Sequence, residues 1–416
     1  MRDAGAEAVS REAARDFGAP TPPVARIAAI DIIRGFTIAG IVFANILWIS
    51  GFLELSAAQR APMMVGWGDG TLLFAIRVFI FGKFYFAFAF LFGVGFTLQL
   101  ERAEARGQDF NAYFVRRMLV LFVIGCAHAL LIWWGDILRF YALLGLALLV
   151  FRSLHGVRLI GAIALCLVLP VALEAGALFL WSGAHPPNLA TLRGTAELKF
   201  FQTASFQDWF LYNLRQIVDH AFQQIWEGRV FQILGMFLTG MWIARHGIFR
   251  EPRSYRPLLL RVAIVGLTIG ILGNLAKSAL RYGDYGLSFE VEAMLTELLY
   301  LVGVPALCAG YLASLVLLCS SPTWSKRLGF LGYLGRISLT NYVSQNLICA
   351  LLFRSYFLNL YGQLTLSALA FAAISIITMQ IVFSRWWLAH FRFGPLEWLW
   401  RSLTYKQVQL LRRPAT

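Results

Sequence analysis

The residues of this sequence that could carry chemistry are polar groups set inside long apolar stretches. His128 and Asp136 lie on either side of Trp133, Trp134 and Gly135. A neutral imidazole can take a proton from a hydroxyl or amine, and a carboxylate can orient it. We predict that His128 is a general base oriented by Asp136. A purely structural role for His128 is about equally favoured, and His220 is a less favoured source of the same chemistry.

Lys83 is the most deeply placed cation that the sequence predicts. It follows Thr71 by 12 residues, which is about 18 Å along a helix. A buried ammonium in a membrane requires a cavity, a carboxylate or an anionic ligand. We expect Lys83 to bind the substrate from a tunnel between Arg34 and His128. A Lys83 that faces lipid or a dry, fully packed core would lead us to drop the enzyme prediction.

Asp31, Arg34 and Asn45 form a second candidate group in the first apolar stretch. Asp31 and Arg34 are three residues apart, so they share a helix face and can pair. A salt bridge that fixes the helix end is as well supported as a role in binding an anion. Asn45 lies about three turns deeper, where an amide either joins helices or contacts a ligand.

A third group lies on one helical face near the C-terminus. Asn341 and Gln345 are four residues apart, as are Ser338 and Tyr342, which gives the helix a polar face. Hydrogen bonds between helices explain this face, and the alternative is the lining of a cytoplasmic cavity. We assign Asp31, Arg34, Asn45, Lys83, Asn341, Tyr342 and Gln345 to donor or substrate binding.

Membrane-spanning helices must position these residues. Of the 416 residues, 59% are hydrophobic and 14% are charged, against ~45–50% and ~25% in soluble domains. A span needs ~20 apolar residues. We predict an all-α membrane bundle of about ten spans, at 33–51, 71–98, 117–134, 137–152, 158–181, 229–245, 260–280, 292–319, 336–353 and 364–384.

The distribution of Lys and Arg predicts the orientation of the bundle. With the N-terminus inside, the inner segments hold 24 of the 36 basic residues and the outer segments hold 9. Cytoplasmic loops carry the excess of positive charge. We therefore expect both termini in the cytoplasm and a location in the bacterial inner membrane.

Three segments flank or interrupt the spans. Residues 1–25 are polar and predict a flexible cytoplasmic tail before the helical domain, 26–390. The outer loop, about 182–228, becomes amphipathic from Ala196 to Glu227, which is typical of a helix in the membrane interface. Residues 391–416 mix Trp and Arg, as expected of an anchor at the inner interface.

Composition and motifs exclude several classes of function. The net charge of +14 sits in short loops, which argues against a nucleic-acid surface. The five cysteines lie in apolar segments without metal-ligand or disulfide spacing. We find no phosphate-binding glycine loop and no metal constellation, so we expect no metal and no bound cofactor.

Five stretches resemble one family. They are Arg26 to Gly35, Lys83 to Gly93, His128 with Trp134 to Leu138, Gly335 to Gln345 and Arg392 to Arg401. Together they resemble the YeiB-like family, also called domain of unknown function 418, over nearly the whole chain past residue 25.

A more distant likeness suggests a reaction. Asp31, Arg34 and Gly35, with Asn45 ten residues after the glycine, are similar to the first span of heparan-glucosaminide acetyltransferases. These belong with the acyltransferase-3 group to a superfamily that moves acyl groups from cytosolic acyl-CoA to acceptors across the membrane. The resemblance implies acyl-CoA as a co-substrate at an inner site and a sugar or other acceptor at an outer site. The heparan enzymes carry a histidine between spans one and two, and residues 49–70 here contain none. His128 would have to replace it.

Three functions remain open at this point. We favour an acyltransferase embedded in the lipid bilayer that acts on an extracytoplasmic small-molecule or glycan acceptor. The alternative is a transporter or permease for a small anionic solute, although the sequence has neither a convincing repeat nor a matched pair of broken helices. A membrane scaffold or sensor is the weakest candidate, and the sequence leaves a homo-oligomer open.

Overall fold

The structure is a computed structural model that describes residues 27–180, 195–282 and 285–413. The predicted tail, 1–25, lies outside these residues, as does the start of the outer loop. The first helices are α1 (Ala28–Ile49), α2 (Ala57–Arg60), α3 (Asp69–Phe79), α4 (Lys83–Glu104), α5 (Phe110–Leu131), α6 (Leu138–Phe151), α7 (Gly156–Leu180), α8 (Thr195–Thr203) and α9 (Phe206–Trp226). The remaining helices are α10 (Arg229–Arg245), α11 (Arg256–Tyr282), α12 (Phe289–Cys319), α13 (Pro322–Arg327), α14 (Gly329–Arg336), α15 (Ser338–Phe353), α16 (Leu366–His390) and α17 (Pro395–Tyr405).

The all-helical prediction is confirmed, and the chain is a multi-pass membrane protein. Seven helical stretches of the described chain are long and apolar enough to cross a bilayer: Ala28–Ile49, Asp69–Glu104, Phe110–Leu131, Gly156–Leu173, Arg256–Leu280, Glu290–Cys319 and Leu366–His390. The other three predicted spans, 137–152, 229–245 and 336–353, coincide with the shorter helices α6, α10 and α15. The count of ten and the cytoplasmic termini stay predictions.

The second predicted span is interrupted rather than continuous. It divides into α3 and α4 at residues 80–82, where Gly82 adopts φ +86°. Glycine reaches this left-handed conformation without the steric penalty of a Cβ atom. Lys83 is consequently the first residue of α4, and the direction of its side chain cannot be extrapolated from α3.

Glycines allow the central helices to approach closely. A Cβ atom at Gly35 of α1 would overlap the carbonyl oxygen of Leu331, and one at Gly335 would overlap that of Asp31. A Cβ atom at Gly93 of α4 would likewise overlap a backbone carbonyl oxygen of α10, and one at Gly240 of α10 would overlap a backbone carbonyl oxygen of α4. Small residues at such crossings bring backbones together where lipid supplies no hydrophobic drive.

The described part of the outer segment contains two helices, α8 and α9, where the amphipathic pattern predicted a single helix. Ser205 and Asp208 form a capping box at the start of α9, and these hydrogen bonds lower the pKa of Asp208. Asn213 donates from Nδ2 to the carbonyl oxygen of Leu130 at 3.0 Å. The Arg354 guanidinium lies 3.4 Å from the centre of a Trp209 ring. These contacts hold α9 against the end of α5 and the loop after α15.

The C-terminal segment is a helix docked on the bundle. Trp400 of α17 donates from Nε1 to the carbonyl oxygen of Arg117 at 2.7 Å, and the Arg117 guanidinium stacks 3.6 Å from a Trp400 ring centre. Glu397 accepts hydrogen bonds from the backbone N–H of Leu339 at 2.7 Å and the hydroxyl of Thr340 at 2.6 Å. Burial raises the pKa of Glu397. The segment thereby caps the start of α15.

Candidate functional site

His128 and Asp136 come together as their spacing suggested. Nδ1 of His128 lies 3.0 Å from Oδ1 of Asp136, and the two side chains are 1% and 0% exposed. The two atoms are not aligned for a straight hydrogen bond. Asp136 also accepts the backbone N–H of Arg139 at 2.9 Å, and Nε of Arg139 lies 3.5 Å from the same carboxylate oxygen. The short connection between α5 and α6 is thus organised around one buried carboxylate.

Two amides extend this pair toward α1. Asn346 of α15 donates from Nδ2 to Nε2 of His128 at 3.1 Å, and its Oδ1 accepts from Nδ2 of Asn45 at 2.9 Å. An amide N–H can only donate, so Nε2 carries the lone pair and Nδ1 faces Asp136 with the proton. This is the tautomer of a histidine held by a carboxylate for catalysis. However, Nε2 of His128 is occupied by Asn346 rather than open to a ligand.

An arginine-rich cavity of about 240 Å³ lies at the N-terminal end of α1. We call it the inner cavity. Its charged lining residues are Arg34, Arg117, Arg336, Arg392, Arg401 and Glu397. Five guanidinium groups and one carboxylate, which already accepts hydrogen bonds from α15, give the cavity a strong positive charge. Guanidinium groups bind phosphates and carboxylates with paired hydrogen bonds.

An aromatic cavity of about 310 Å³ lies toward the other end of α1. We call it the outer cavity. Its polar lining comes from Asn45, His220, Gln223, Gln224, Glu227 and Arg229, among aromatic residues that include Trp48, Trp133, Trp134, Tyr85 and Tyr300. Arg229 makes two hydrogen bonds with Glu297, at 3.0 and 3.2 Å. Its Nε also lies 3.5 Å from the carboxylate of Glu227, so the two charged residues of the lining have opposite signs. The lining is therefore close to neutral, which suits an uncharged ligand with hydroxyl or amine groups.

Tyr342 belongs to the wall of both cavities. Its side chain is 1% exposed, its hydroxyl accepts the backbone N–H of Ile137 at 3.3 Å, and its ring centre is 5.3 Å from that of His128. Tyr342, which the sequence assigned to substrate binding, thus lies between the inner cavity and the outer cavity.

Lys83 does not have the surroundings that we expected. It is fully buried, donates from Nζ to Oδ1 of Asn274 at 2.6 Å and to the carbonyl oxygen of Arg77 at 3.1 Å, and lines neither cavity. The prediction that it faces a tunnel is wrong for this structure, because α12 and α11 pack over the start of α4 and Asn274 supplies its partner. Lys83 fixes helix packing here.

The remaining predicted residues divide between the cavity and the helix contacts. Arg34 lies in the inner cavity and its Nη1 is 3.4 Å from Oδ1 of Asp31. Asn341 donates to the carbonyl oxygen of Leu334 and the hydroxyl of Ser384, at 3.1 and 3.0 Å, so it joins helices. Gln345 is fully buried and its amide has no hydrogen-bond partner among the described residues.

Sequence reasoning missed most of the inner cavity. Arg117, Arg392 and Arg401 were counted as cytoplasmic charge or as an anchor, because nothing local shows that α17 folds back onto α5. The mixture of Trp and Arg in this segment was the available signal. Asn346 was visible as a polar residue of α15, and only the structure shows that it joins Asn45 to His128.

Comparison with known proteins identifies the family. A family profile described as "Protein of unknown function (DUF418)" matches residues 243–407. The uncharacterized protein YxaH of Bacillus subtilis is 31% identical over an alignment of 403 residues that covers 93% of this chain and 96% of YxaH. The chain belongs to the DUF418 family. The uncharacterized protein YeiB of Escherichia coli is 28% identical over an alignment of 393 residues that covers 92% of this DUF418 chain and 97% of YeiB.

The similarity to these DUF418 proteins spans both cavities. The profile match includes Arg336, Tyr342, Asn346 and helix α17. His128, Asp136 and His220 precede it and lie within the longer stretch shared with YxaH. The YeiB-like resemblance of the sequence motifs is therefore confirmed at the level of the family.

Proposed function

We propose that this DUF418 protein is an integral membrane acyltransferase. It takes an acyl group from an acyl-CoA-like donor in the inner cavity and transfers it to a hydroxyl or amine of an acceptor, such as a sugar, in the outer cavity. The observation that carries the proposal is the pair of cavities at opposite ends of α1, one strongly positive and one near neutral, with Tyr342 in the wall of both.

The inner cavity suits a donor that bears phosphate groups. Arg34, Arg336 and Arg392 come from three different elements and converge on one space, while Arg117 stacks on Trp400. Such an arrangement neutralises several phosphate charges at once, which a single lysine cannot do. With the N-terminus in the cytoplasm, this cavity opens where acyl-CoA is present, as expected for a bacterial inner-membrane enzyme.

The reaction is a simple exchange of acyl bonds. The acceptor oxygen or nitrogen forms a bond to the thioester carbonyl carbon, the carbon–sulfur bond breaks, and the acceptor proton ends on the released thiol. Asn45 lines the outer cavity and uses one N–H of its amide on Asn346. Its second N–H can donate to the oxyanion that develops on the carbonyl oxygen.

Lys83 lies in a packed core, which is the outcome set against the enzyme that the sequence predicts, because that enzyme uses this lysine to hold the donor. The proposal now assigns that charge to the arginines of the inner cavity and does not use Lys83. His128 and Asp136 hold the amide of Asn346, and through it the amide of Asn45.

The same two cavities also favour a second candidate, a permease for a small anionic solute. A single tyrosine separates the positive inner cavity from the outer cavity. In an alternating-access transporter, movement of such a side chain could expose a solute to each side in turn. A permease moves the solute into liposomes without any covalent change, so uptake without acyl transfer separates the two functions.

Purified protein in lipid nanodiscs, labelled acyl-CoA and a panel of glycans test the proposal. We expect CoA binding and transfer of the label to an acceptor. Arg336→Gln combined with Arg392→Gln should abolish both. Arg253→Gln, on the same predicted side but outside the inner cavity, should preserve both. A wild-type protein that neither binds CoA nor transfers the label would refute the acyltransferase.

A further inference from the structure

We propose that His220 exchanges the proton with the acceptor in the outer cavity, at its Nε2 atom, and that His128 does not. This inference rests on the proposed function and deepens it, because it assigns the acid–base group of the acceptor site. His220 lies on α9, in the segment predicted as an interfacial helix, and the sequence favoured it less than His128 for this chemistry.

The position of His220 is set by aromatic rings. Its ring meets Trp134 and Phe140 edge to face, with centres 5.0 and 5.6 Å apart. It lines the outer cavity and is partly exposed. The anchoring of α9 through Asn213 and Trp209 keeps this ring beside the connection between α5 and α6.

The two nitrogen atoms of His220 have different surroundings. Nε2 lies 3.0 Å from Nε2 of Gln224. The amide nitrogen can only donate, so Nε2 of His220 carries the lone pair and Nδ1 carries the proton. Nδ1 is buried and has no hydrogen-bond partner within the described chain. The lone pair of Nε2 therefore accepts from Gln224, which also lines the cavity, and an acceptor hydroxyl that enters the cavity can replace the Gln224 amide there.

His128 has the same hydrogen bonding without the access. Its Nε2 also accepts from an amide, that of Asn346, but its side chain is 1% exposed and lines neither cavity. Asn346 cannot pass a proton onward, since an amide does not titrate in the physiological range. A ligand in the outer cavity can thus exchange a proton with His220 directly and has no such path to His128.

The charge state of His220 agrees with this role. Burial, followed by the positive charge of Arg139, lowers the pKa of His220 to about 4. The ring is neutral at pH 7, so Nε2 can accept a proton once the acceptor replaces the Gln224 amide. In the transfer step, Nε2 takes the acceptor proton as the acceptor atom bonds to the carbonyl carbon. The carbon–sulfur bond breaks, and the imidazolium returns the proton to the departing thiolate.

Chemical labelling tests the access of the two histidines without any need for activity. Diethyl pyrocarbonate transfers an ethoxycarbonyl group to an unprotonated imidazole nitrogen, and peptide mass spectrometry locates the product. In the folded protein at pH 7 we expect His220 to be labelled and His128 to stay unlabelled, with the exposed His155 as the positive control. Labelling of His128 with His220 protected would overturn the proposal.

Kinetics test the role itself. His220→Gln should lower kcat by about 10²–10⁴, while CoA binding to the inner cavity is unchanged. His155→Gln makes the same chemical change on the surface and should keep the wild-type rate. A His220→Gln protein that binds CoA and retains the full rate would overturn the inference. A wild-type protein without any acyl transfer would refute the proposed function, and the labelling pattern would then decide on His220 alone.

Discussion

Asp136 places its carboxylate 3.0 Å from Nδ1 of His128, and the two side chains have almost no contact with solvent. A pair buried in this way has a structural role and does not contact a ligand directly. It fixes the tautomer of His128, which receives the amide of Asn346, and Asn346 holds Asn45 at the edge of the outer cavity. The carboxylate of Asp136, which the sequence suggested for catalysis, therefore helps to position Asn45 in the lining of the outer cavity.

Asp136→Asn should destabilise the protein because it leaves Arg139 without a buried counter-charge. We expect a loss of about 3 kcal/mol, the lower end for breaking a buried ion pair. Asp219→Asn is the matched control, since this carboxylate is exposed on α9. Thermal unfolding in detergent measures both variants. Equal melting temperatures for the two variants would contradict a structural role for Asp136.

His220 should give the protein a stability that depends on pH. Its folded pKa of about 4 lies below the ordinary value of 6.5. Between these values the unfolded ring binds a proton and the folded ring does not, so stability is fully present above pH 6.5 and falls as the pH approaches 4. His220→Gln cannot titrate, and its unfolding should depend less on pH over this window. Melting temperatures of the wild type and the variant from pH 4 to 7 measure this pH dependence. Equal changes of melting temperature with pH in the two proteins would exclude a contribution from His220.

The helix crossing of α1 and α14 should tolerate no side chain at Gly335. A Cβ atom there would overlap the carbonyl oxygen of Asp31, whereas one at Gly332 would meet only Ile32 at 3.8 Å. Gly335→Ala should cost at least about 1–3 kcal/mol, as overpacking does. Gly332→Ala is on the same helix and should be neutral or slightly stabilising. The melting temperatures of the two variants test this prediction. A Gly335→Ala protein with the wild-type melting temperature would show that α1 and α14 can move apart without loss of stability.

The sequence predicted the elements well and the cavities poorly. Apolar runs identify helices because the composition of each run is a local signal. The short connection after Leu131 brings His128 and Asp136 close together in space. Lys83 was misjudged because its partner, Asn274, lies 191 residues away and the break at Gly82 redirects the chain. The inner cavity depends on α17 docking beside Arg117, a long-range contact that no local pattern encodes.

The predicted topology can be measured with introduced thiols. Trp67→Cys lies in the strongly exposed connection before α3, and Val408→Cys lies in the exposed segment after α17. In right-side-out vesicles an impermeant maleimide should label the first and not the second. Inverted vesicles should reverse the pattern, and the wild-type protein with its five cysteines gives the background. Labelling of both positions from one side would contradict the proposed orientation.

Tyr342 should act as the barrier between the two cavities. Ala44 lines the outer cavity, so Ala44→Cys reports on its access. From the cytoplasmic side, a small impermeant thiosulfonate should reach this thiol when Tyr342→Ala is also present, because removal of the ring joins the cavities. Tyr342→Phe keeps the ring and loses the hydrogen bonds that the hydroxyl makes with the backbone of Ile137 and the side chain of Asn346, at a cost of about 1 kcal/mol each. It should block the reagent as the wild type does. Equal labelling in the Ala and Phe variants would mean that another residue separates the cavities, and the path of the acyl group would then have to lie elsewhere.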